Sequence, residues 1–511
     1  MQAEIDWLQQ LGTSENDGGN AVVVDSDNYY IYATGYNTSS GSLICWVAKF
    51  YAKSGEQIWS KQLSDVIDAS TSLGDDLAVD DDNVYVLIRD YQNKKTLVTK
   101  LDLDAGEVVW TYNFEYASGA VVSSSSIVAD GSGYLYVTGS VIGSMLSSDG
   151  DTLTSTGTRD TWIAKLSTDQ ELDWIQQFGS SESESYCMDL AVDSSSNVYA
   201  VGYTTGVISG TNASNNQASE DVWIAKYNSD GNLQWIEQFG SASNQNEQAL
   251  GVAVDDSGGV YATGITYGDL KGGAVEAEYE NSQSWVAKFQ ASTGEQLWLD
   301  QFGDDQDTFN VSMGGISVDN DGGVYLGGST EGQLEDLEPV TTRDALIVKY
   351  NAYTGEQLWL KQVSSSDDNQ DFLYNMTIGS DGSLYVAGLT KGDMSETETN
   401  QGSDDIWIAQ LREVPQDYDE LAQVLKRYID YKVSQSTETV LETSETTSTT
   451  STTSTTSSSS SSSSTTTSSS LLEVAAEVVA SNSSSTSSTG DISSDTTSVL
   501  SVAASVANEE S

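Results

Sequence analysis

Histidine is absent from all 511 residues of this chain. That removes the commonest general base and the commonest transition-metal ligand, and with them any Ser-His-Asp or Cys-His catalytic arrangement. Cysteine is nearly absent. Cys45 and Cys187 are too few for a disulfide framework, and both fall on or near predicted strands, where burial and inertness are expected. Positive charge is scarce: 20 Lys and Arg stand against 77 Asp and Glu, a formal net charge of −57. Such a surface repels phosphate backbones and anionic lipid heads, so nucleic acid and membrane surfaces are disfavoured as partners. High salt would screen its self-repulsion. No apolar run is long enough for a transmembrane helix, so membrane insertion is not expected. Met1–Ile5 is too short for a signal peptide, because strand pattern begins at Asp6. The chain is expected either to stay inside the cell, to leave by a route that reads no N-terminal signal, or to lack its start.

What the chain has in abundance is repetition. Tryptophan recurs in one setting at Trp7, Trp59, Trp110, Trp174, Trp235, Trp298 and Trp359. A second segment recurs as Trp46–Phe50, Leu97–Leu101, Trp162–Leu166, Trp223–Tyr227, Trp285–Phe289, Leu346–Tyr350 and Trp407–Leu411. A third recurs as Tyr30–Gly35, Val84–Ile88, Tyr134–Gly139, Val198–Gly202, Val260–Gly264, Val324–Gly328 and Leu384–Gly388. Each alternates bulky with small or polar residues, the period of a half-buried strand. Turn residues such as Asp255-Asp-Ser-Gly-Gly259 separate them. Four strands per module and seven modules predict an all-β, seven-bladed β-propeller over 1–414. The chain opens on a Trp strand, Asp6–Gly12, and leaves the repeat after Trp407–Leu411 with no further Trp strand. The N-terminal strand is therefore expected to complete the blade built from 370–411 and so remove an open edge.

The pattern Val-Ala-Val-Asp…Gly-Gly-Val-Tyr-Ala-Thr-Gly…Trp-Val-Ala-Lys-Phe…Gly-Glu-Gln-Leu-Trp…Gln-Phe-Gly, clearest over Gly251–Gly303, resembles the bacterial β-propeller repeat SBBP. The resemblance spans roughly 6–411. It departs most in the second blade, with Leu97 for Trp, and in the third, with Thr111–Glu115 in place of Gln-Phe-Gly. It implies a scaffold, often exported, rather than a reaction. Ala291–Trp298 and Ala352–Trp359 also resemble, more weakly, the tryptophan-docking motif of quinoprotein propellers. That likeness implies that the Gly makes a turn and the Trp packs between blades. Those enzymes bind pyrroloquinoline quinone and generally have eight blades, and the dehydrogenases often pack a vicinal disulfide on it. Here the count is seven and the cysteines lie far apart.

Past Pro415 the pattern changes. Asp417 and Glu420 form a capping box, and Leu421, Val424, Leu425, Tyr428 and Ile429 make an apolar stripe. A short amphipathic helix over 415–433 is predicted, capping the ring or docking a partner. A disordered Ser/Thr-rich linker is expected over 434–470, unbroken from Thr446 to Ser470. The low-complexity tail 471–511 reads as weakly helical or as an uncleaved C-terminal export signal.

No catalytic or cofactor-binding residue stands out. Asp319–Gly322, Asp80–Asp82 and Asp304–Asp307 read first as turns and, alternatively, as calcium ligands; none has EF-hand spacing. The long connections Gly202–Glu220, Thr266–Gln283 and Thr330–Arg343 are expected on one face, where binding specificity resides. The functional expectation is a non-enzymatic scaffold for a protein or glycan, extracellular or at the cell surface, with the cytoplasm as the alternative. A structural surface or matrix component is a second reading. The third is a carboxylate- or calcium-dependent lyase or hydrolase in the central channel, which convergent acids, Arg and Tyr there would favour.

Overall fold

The computed structural model describes residues 2–63, 71–208, 219–242, 245–271, 278–303, 310–332, 342–365, 369–394 and 400–414. Chain contacts define two units, Gln2–Glu413 and Met1 with Val414–Ser511. The helix, linker and tail expected after Pro415 lie outside the described residues, as does Asp304–Asp307.

The first unit is all-β. Seven four-stranded antiparallel sheets follow one another, and each sheet is one module in meander order. Blades one to six span 17–62, 72–113, 121–178, 185–239, 247–302 and 311–363; blade seven joins 371–414 to 2–11. The first strands of the blades contact one another in sequence around a closed circle, so they line the axis. They are Asp17–Val24, Ser72–Val79, Val121–Ala129, Ser185–Val192, Glu247–Val254, Val311–Val318 and Asp371–Ile378. Leu97 and Thr111–Glu115, read from sequence as departures in two blades, belong to one: blade two holds both. The first Trp strand, with Trp7, belongs to blade seven, so the strand of Trp110 is the fourth of blade two and not of blade three.

Closure follows the expectation. Strand β1 (Gln2–Leu11) pairs with β28 (Asp405–Val414) at the outer edge of blade seven. Gln10 Nε2 donates to Asp405 Oδ2 at 3.0 Å, and Asp6 pairs with Arg412 at 2.6 Å, so the two strands run antiparallel. Apolar packing crosses the seam: Val22, Ile31, Trp46 and Phe50 of blade one meet Tyr385, Ala387, Ile406 and Ile408 of blade seven, with Trp7 and Leu11 alongside.

The repeated letters are the bonds between blades. In blades one to five the Trp of the fourth strand and the Lys of the third strand reach one carbonyl in the next blade. Trp235 Nε1 and Lys226 Nζ donate to Ala291 O at 3.0 and 3.2 Å; Trp174 and Lys165 donate to Ser229 O at 3.0 and 3.1 Å. The Tyr of the second strand supports both. Tyr199 lies 6.2 Å from the Trp235 ring and 5.0 Å beneath the Lys226 ammonium. The Trp face covers the glycine of the next blade's turn. Gly294 holds φ +78, and a Cβ there would sit 2.8 Å from Trp235 Cε3. Both the Gly turn and the inter-blade Trp that the quinoprotein likeness implied are therefore present. Gly294→Ala is expected to lower the thermal midpoint by several degrees, since it adds left-handed strain to a clash with a packed ring. An unchanged calorimetric midpoint would contradict this account of the turn.

At the seam the acceptor for blade six is a side chain of β28. The Glu413 carboxylate serves where the other blades use a main-chain carbonyl: Oε1 accepts from Trp359 Nε1 at 2.7 Å and from Lys349 Nζ at 2.8 Å. Blade seven has Gln410 where the others have Lys, and Trp7 Nε1 donates to Ala52 O of blade one at 2.9 Å. Strand β28 runs to Val414, beyond the Leu411 limit read from sequence, and this extension carries Glu413.

Candidate functional site

The ring has two unlike faces. One carries the short hairpins within blades. The other carries the long second-to-third connections and the links between blades.

On the hairpin face the first Asp of each turn is consumed locally. Asp319 Oδ1 accepts from the Asp321 and Gly323 amides at 2.9 and 2.6 Å, while Oδ2 accepts from Tyr325 Oη at 2.9 Å and lies 3.6 Å from Lys349 Nζ. Asp80 behaves alike, taking the Asp82 and Asn83 amides at 3.0 and 2.7 Å and Tyr85 Oη at 2.6 Å. Turn chemistry accounts for both clusters. A depression of about 610 Å³ at this end is rimmed by Asp80, Asp81, Asp82, Asp130, Asp193 and Asp256. Among the described residues no three metal-ligating side chains converge.

On the loop face a glutamine clasp anchors the connections of blades three, four, five and seven. Gln177 Nε2 donates to Gly143 O and Asp160 Oδ2, both at 2.8 Å, and Oε1 accepts from the Met145 amide at 2.9 Å. Gln238 repeats this with Gly206, Asp221 and Ile208, and Gln10 with Gly392, Asp405 and Met394. This explains the Gln of Gln-Phe-Gly: it fixes both ends of a loop to a rigid strand. Residues 209–218, 272–277 and 333–341, in the three connections singled out by sequence, are outside the described set. A fourth, 143–159 of blade three, is fully described and was not singled out.

Where the repeats face the channel mouth they stop agreeing. The residue three before the third-strand Trp (or Leu) is Leu43, Lys94, Arg159, Glu220, Ser282, Arg343 and Asp404 in turn. Four backbones at this position bind the next blade's first strand: Arg159 O accepts from the Ser185 amide at 2.9 Å, Glu220 O from Glu247 at 2.7 Å, Arg343 O from Asp371 at 2.7 Å and Asp404 O from Asp17 at 2.8 Å. Three of these side chains then meet the second residue of that strand. The Arg159 guanidinium lies 5.0 Å above the Tyr186 ring and Arg343 lies 5.2 Å above Phe372. Glu220 accepts from Gln248 Nε2 at 2.6 Å. Tyr186 stacks on Tyr203 at 4.7 Å, and Phe372 on Tyr374 at 5.9 Å. Third-strand indoles hold these residues from behind: Trp223 Nε1 donates to Tyr186 O at 3.1 Å and Trp407 Nε1 to Phe372 O at 2.9 Å. Gly202 permits the approach, since a Cβ there would lie 1.9 Å from Tyr186 O.

Two residues further along, every first strand carries a β-bulge at the same place, over Asn20, Asp75, Ser125, Met188, Leu250, Gly314 and Tyr374. In three blades the next side chain accepts an amide from the following blade. Ile127 N donates to Asp76 Oδ2 and Val252 N to Asp189 Oδ2, both at 2.8 Å; Val22 N donates to Asn375 Oδ1 at 3.1 Å. Burial pushes Asp76 up to about 7 and Asp189 to about 6. It also raises Asp75 to about 6 against the pull of Arg89, which it meets at 3.1 Å.

Arg and Tyr thus gather at the mouth, as the enzyme reading required, but its acids are spent on neighbours. Glu184 takes the Tyr186 hydroxyl at 2.7 Å, Glu220 takes Gln248, and Glu331 holds Asn310 and Arg343. Cys45 and Cys187 are both buried, in blades one and four, so nothing corresponds to the vicinal disulfide of quinoprotein dehydrogenases. Burial raises both thiols, Cys187 to about 12.

This is a seven-bladed β-propeller whose constant residues join blades and whose variable residues surround one mouth. Residues 173–208, the fourth strand of blade three through the second strand of blade four, match the SBBP family, described as a beta-propeller repeat, so the resemblance read from the sequence is borne out there. No curated protein matches the chain. Solved structures similar to it include BamB from Moraxella catarrhalis, at 13% identity over 76% of this chain and 85% of that one, with a TM-score of 0.39. Quinohemoprotein alcohol dehydrogenase from Comamonas testosteroni is similar at 10% identity over 80% and 76%, TM-score 0.44. So is Sqt1 from Chaetomium thermophilum, bound to the N-terminus of the ribosomal protein L10, at 10% identity over 80% and 100%, TM-score 0.43. At such values the likeness carries no argument about function.

Proposed function

We propose that this propeller is a non-enzymatic binding scaffold whose partner is a protein, engaged at the loop-face mouth. The observation that carries this reading is the internal contrast among seven copies. Positions that join blades keep Trp, Lys, Tyr, Gln and Gly, whereas positions on the mouth diverge into Arg, Glu, Ser and Asp beside stacked aromatics. Packing explains the first set and does not call for the second. Stacked tyrosines and guanidiniums are also the residue types that dominate protein interfaces. The strongly acidic surface and the Ser/Thr-rich segment fit a location outside the cell or on its surface; fractionation of the native host tests that part.

The binding reading is tested with a photo-crosslinking residue placed at Tyr374, 44% exposed at the mouth, or at Tyr353, 72% exposed on the hairpin face. A discrete protein adduct from Tyr374 and none from Tyr353 is expected in the native host. The reverse pattern, or equal capture at both, would move the interface away from the mouth.

A further inference from the structure

The three guanidiniums near the mouth are not equivalent. Arg89 is matched by Asp75 at 3.1 Å, and its Nη2 donates to Ser124 O at 2.6 Å. Arg343 is matched by Glu331. Arg159 has no carboxylate partner among the described residues. Its Nη1 donates to Ser140 Oγ at 3.3 Å, and its Nε is buried with no hydrogen-bond partner. The nearby carboxylate of Glu184 is occupied by the Tyr186 hydroxyl at 2.7 Å.

The surroundings suit a planar anion. Arg159 is fixed at the backbone by the Ser185 amide at 2.9 Å and at the side chain by the Tyr186 ring, so its donor fork is already oriented. The Tyr186–Tyr203 pair, with rings 21° from parallel, makes a flat wall beside it. Ser123 and Ser140 hydroxyls, 2.8 Å apart, stand next to the fork. We propose that Arg159 anchors a carboxylate of the protein partner, with the tyrosine pair receiving the apolar group next to it. This rests on the reading that the mouth binds protein.

The net charge of −57 refines the partner. An acidic protein is repelled before it reaches Arg159, whereas a neutral or basic one carrying a single presented carboxylate is drawn in. That carboxylate is a chain terminus or an Asp or Glu side chain. Three lysine-containing peptides of the same length distinguish these: one ending in phenylalanine with a free carboxylate, the same peptide amidated, and an amidated version with an internal glutamate beside the phenylalanine. Calorimetric titration of the full chain is expected to show at least tenfold tighter binding of one carboxylate peptide than of the amidated control. Arg159→Gln should abolish that preference, and Arg159→Lys should restore part of it, because charge returns without the planar fork. Melting curves establish that both variants are folded, and Tyr203→Leu, which removes the wall but keeps the fork, should weaken all three peptides. Equal binding of acid and amide by the unaltered chain overturns the proposal, as does full preference in folded Arg159→Gln. If that happens while Tyr374 still captures a partner, the scaffold reading stands and only the carboxylate anchor falls. If Tyr374 captures nothing as well, both fall.

Discussion

A chain lacking residues 1–12 is expected to lose its single cooperative unfolding transition, with the whole ring destabilised and not merely one end frayed. The deletion removes a full ladder from blade seven and the Gln10 clasp on Gly392, Asp405 and Met394. It also removes the Trp7 bond to Ala52, which joins blade seven to blade one. The exposed β28 then offers an unpaired edge to other chains. Replacing Trp7 alone by Ala should cost about 3–5 kcal/mol, the usual range for a packed tryptophan. Differential scanning calorimetry separates the outcomes. One unshifted peak for the truncated chain would mean that β1 decorates the ring without closing it.

The second expectation concerns acidity. Asp75, Asp76 and Asp189 are raised by burial to about 6, 7 and 6, and Glu247 to about 7. A carboxyl whose folded pKa exceeds its unfolded value stabilises the fold when protonated. That contribution is complete below the unfolded value and disappears as pH rises through the folded one. The ring should therefore melt higher near pH 5 than at pH 8, by on the order of 5 °C once partial exposure to the channel is discounted. Relief of general self-repulsion acts in the same direction. Asp193 and Asp255 are held low despite burial by bonds from Asn197 and Tyr261 among others; they reverse the trend as pH falls below the carboxylate range. Asn375 makes the same inter-blade bond without charge, so Asp76→Asn should fold and flatten the pH profile between 5 and 8. A profile that rises towards pH 8 would show that these carboxyls are solvated as anions.

The number of blades, their four-strand content and the seam were legible because each rests on a side chain that recurs with fixed spacing. The tasks of Trp235, Lys226 and Gly294 recur in most copies, and that recurrence reveals them. The mouth was not legible by that route, because repetition selects what is constant and the mouth is where copies differ. Arg159 was visible only as the residue three before Trp162, and Tyr186 only as the second of a first strand. Nothing local says that two such positions in adjacent modules meet. The bulges were hidden for another reason: each inserts one residue into a short strand without altering its composition. Thr111–Glu115 was assigned one blade late, because Trp110 is third in the series that starts at Trp7, and Trp7 belongs to the last blade.

The seam also sets an order in time. Gln10 and its partners in blade seven are 382 to 395 residues apart along the chain. The ring's first strand in chain order is thus the last to find its neighbour, and blades one to six must organise while it waits. Contacts of such separation form slowly, because a loop spanning the entire ring has to be closed to make them. Refolding should end in a late phase reported by Trp7, and crowding several nascent copies together would let one molecule's waiting strand complete its neighbour's ring.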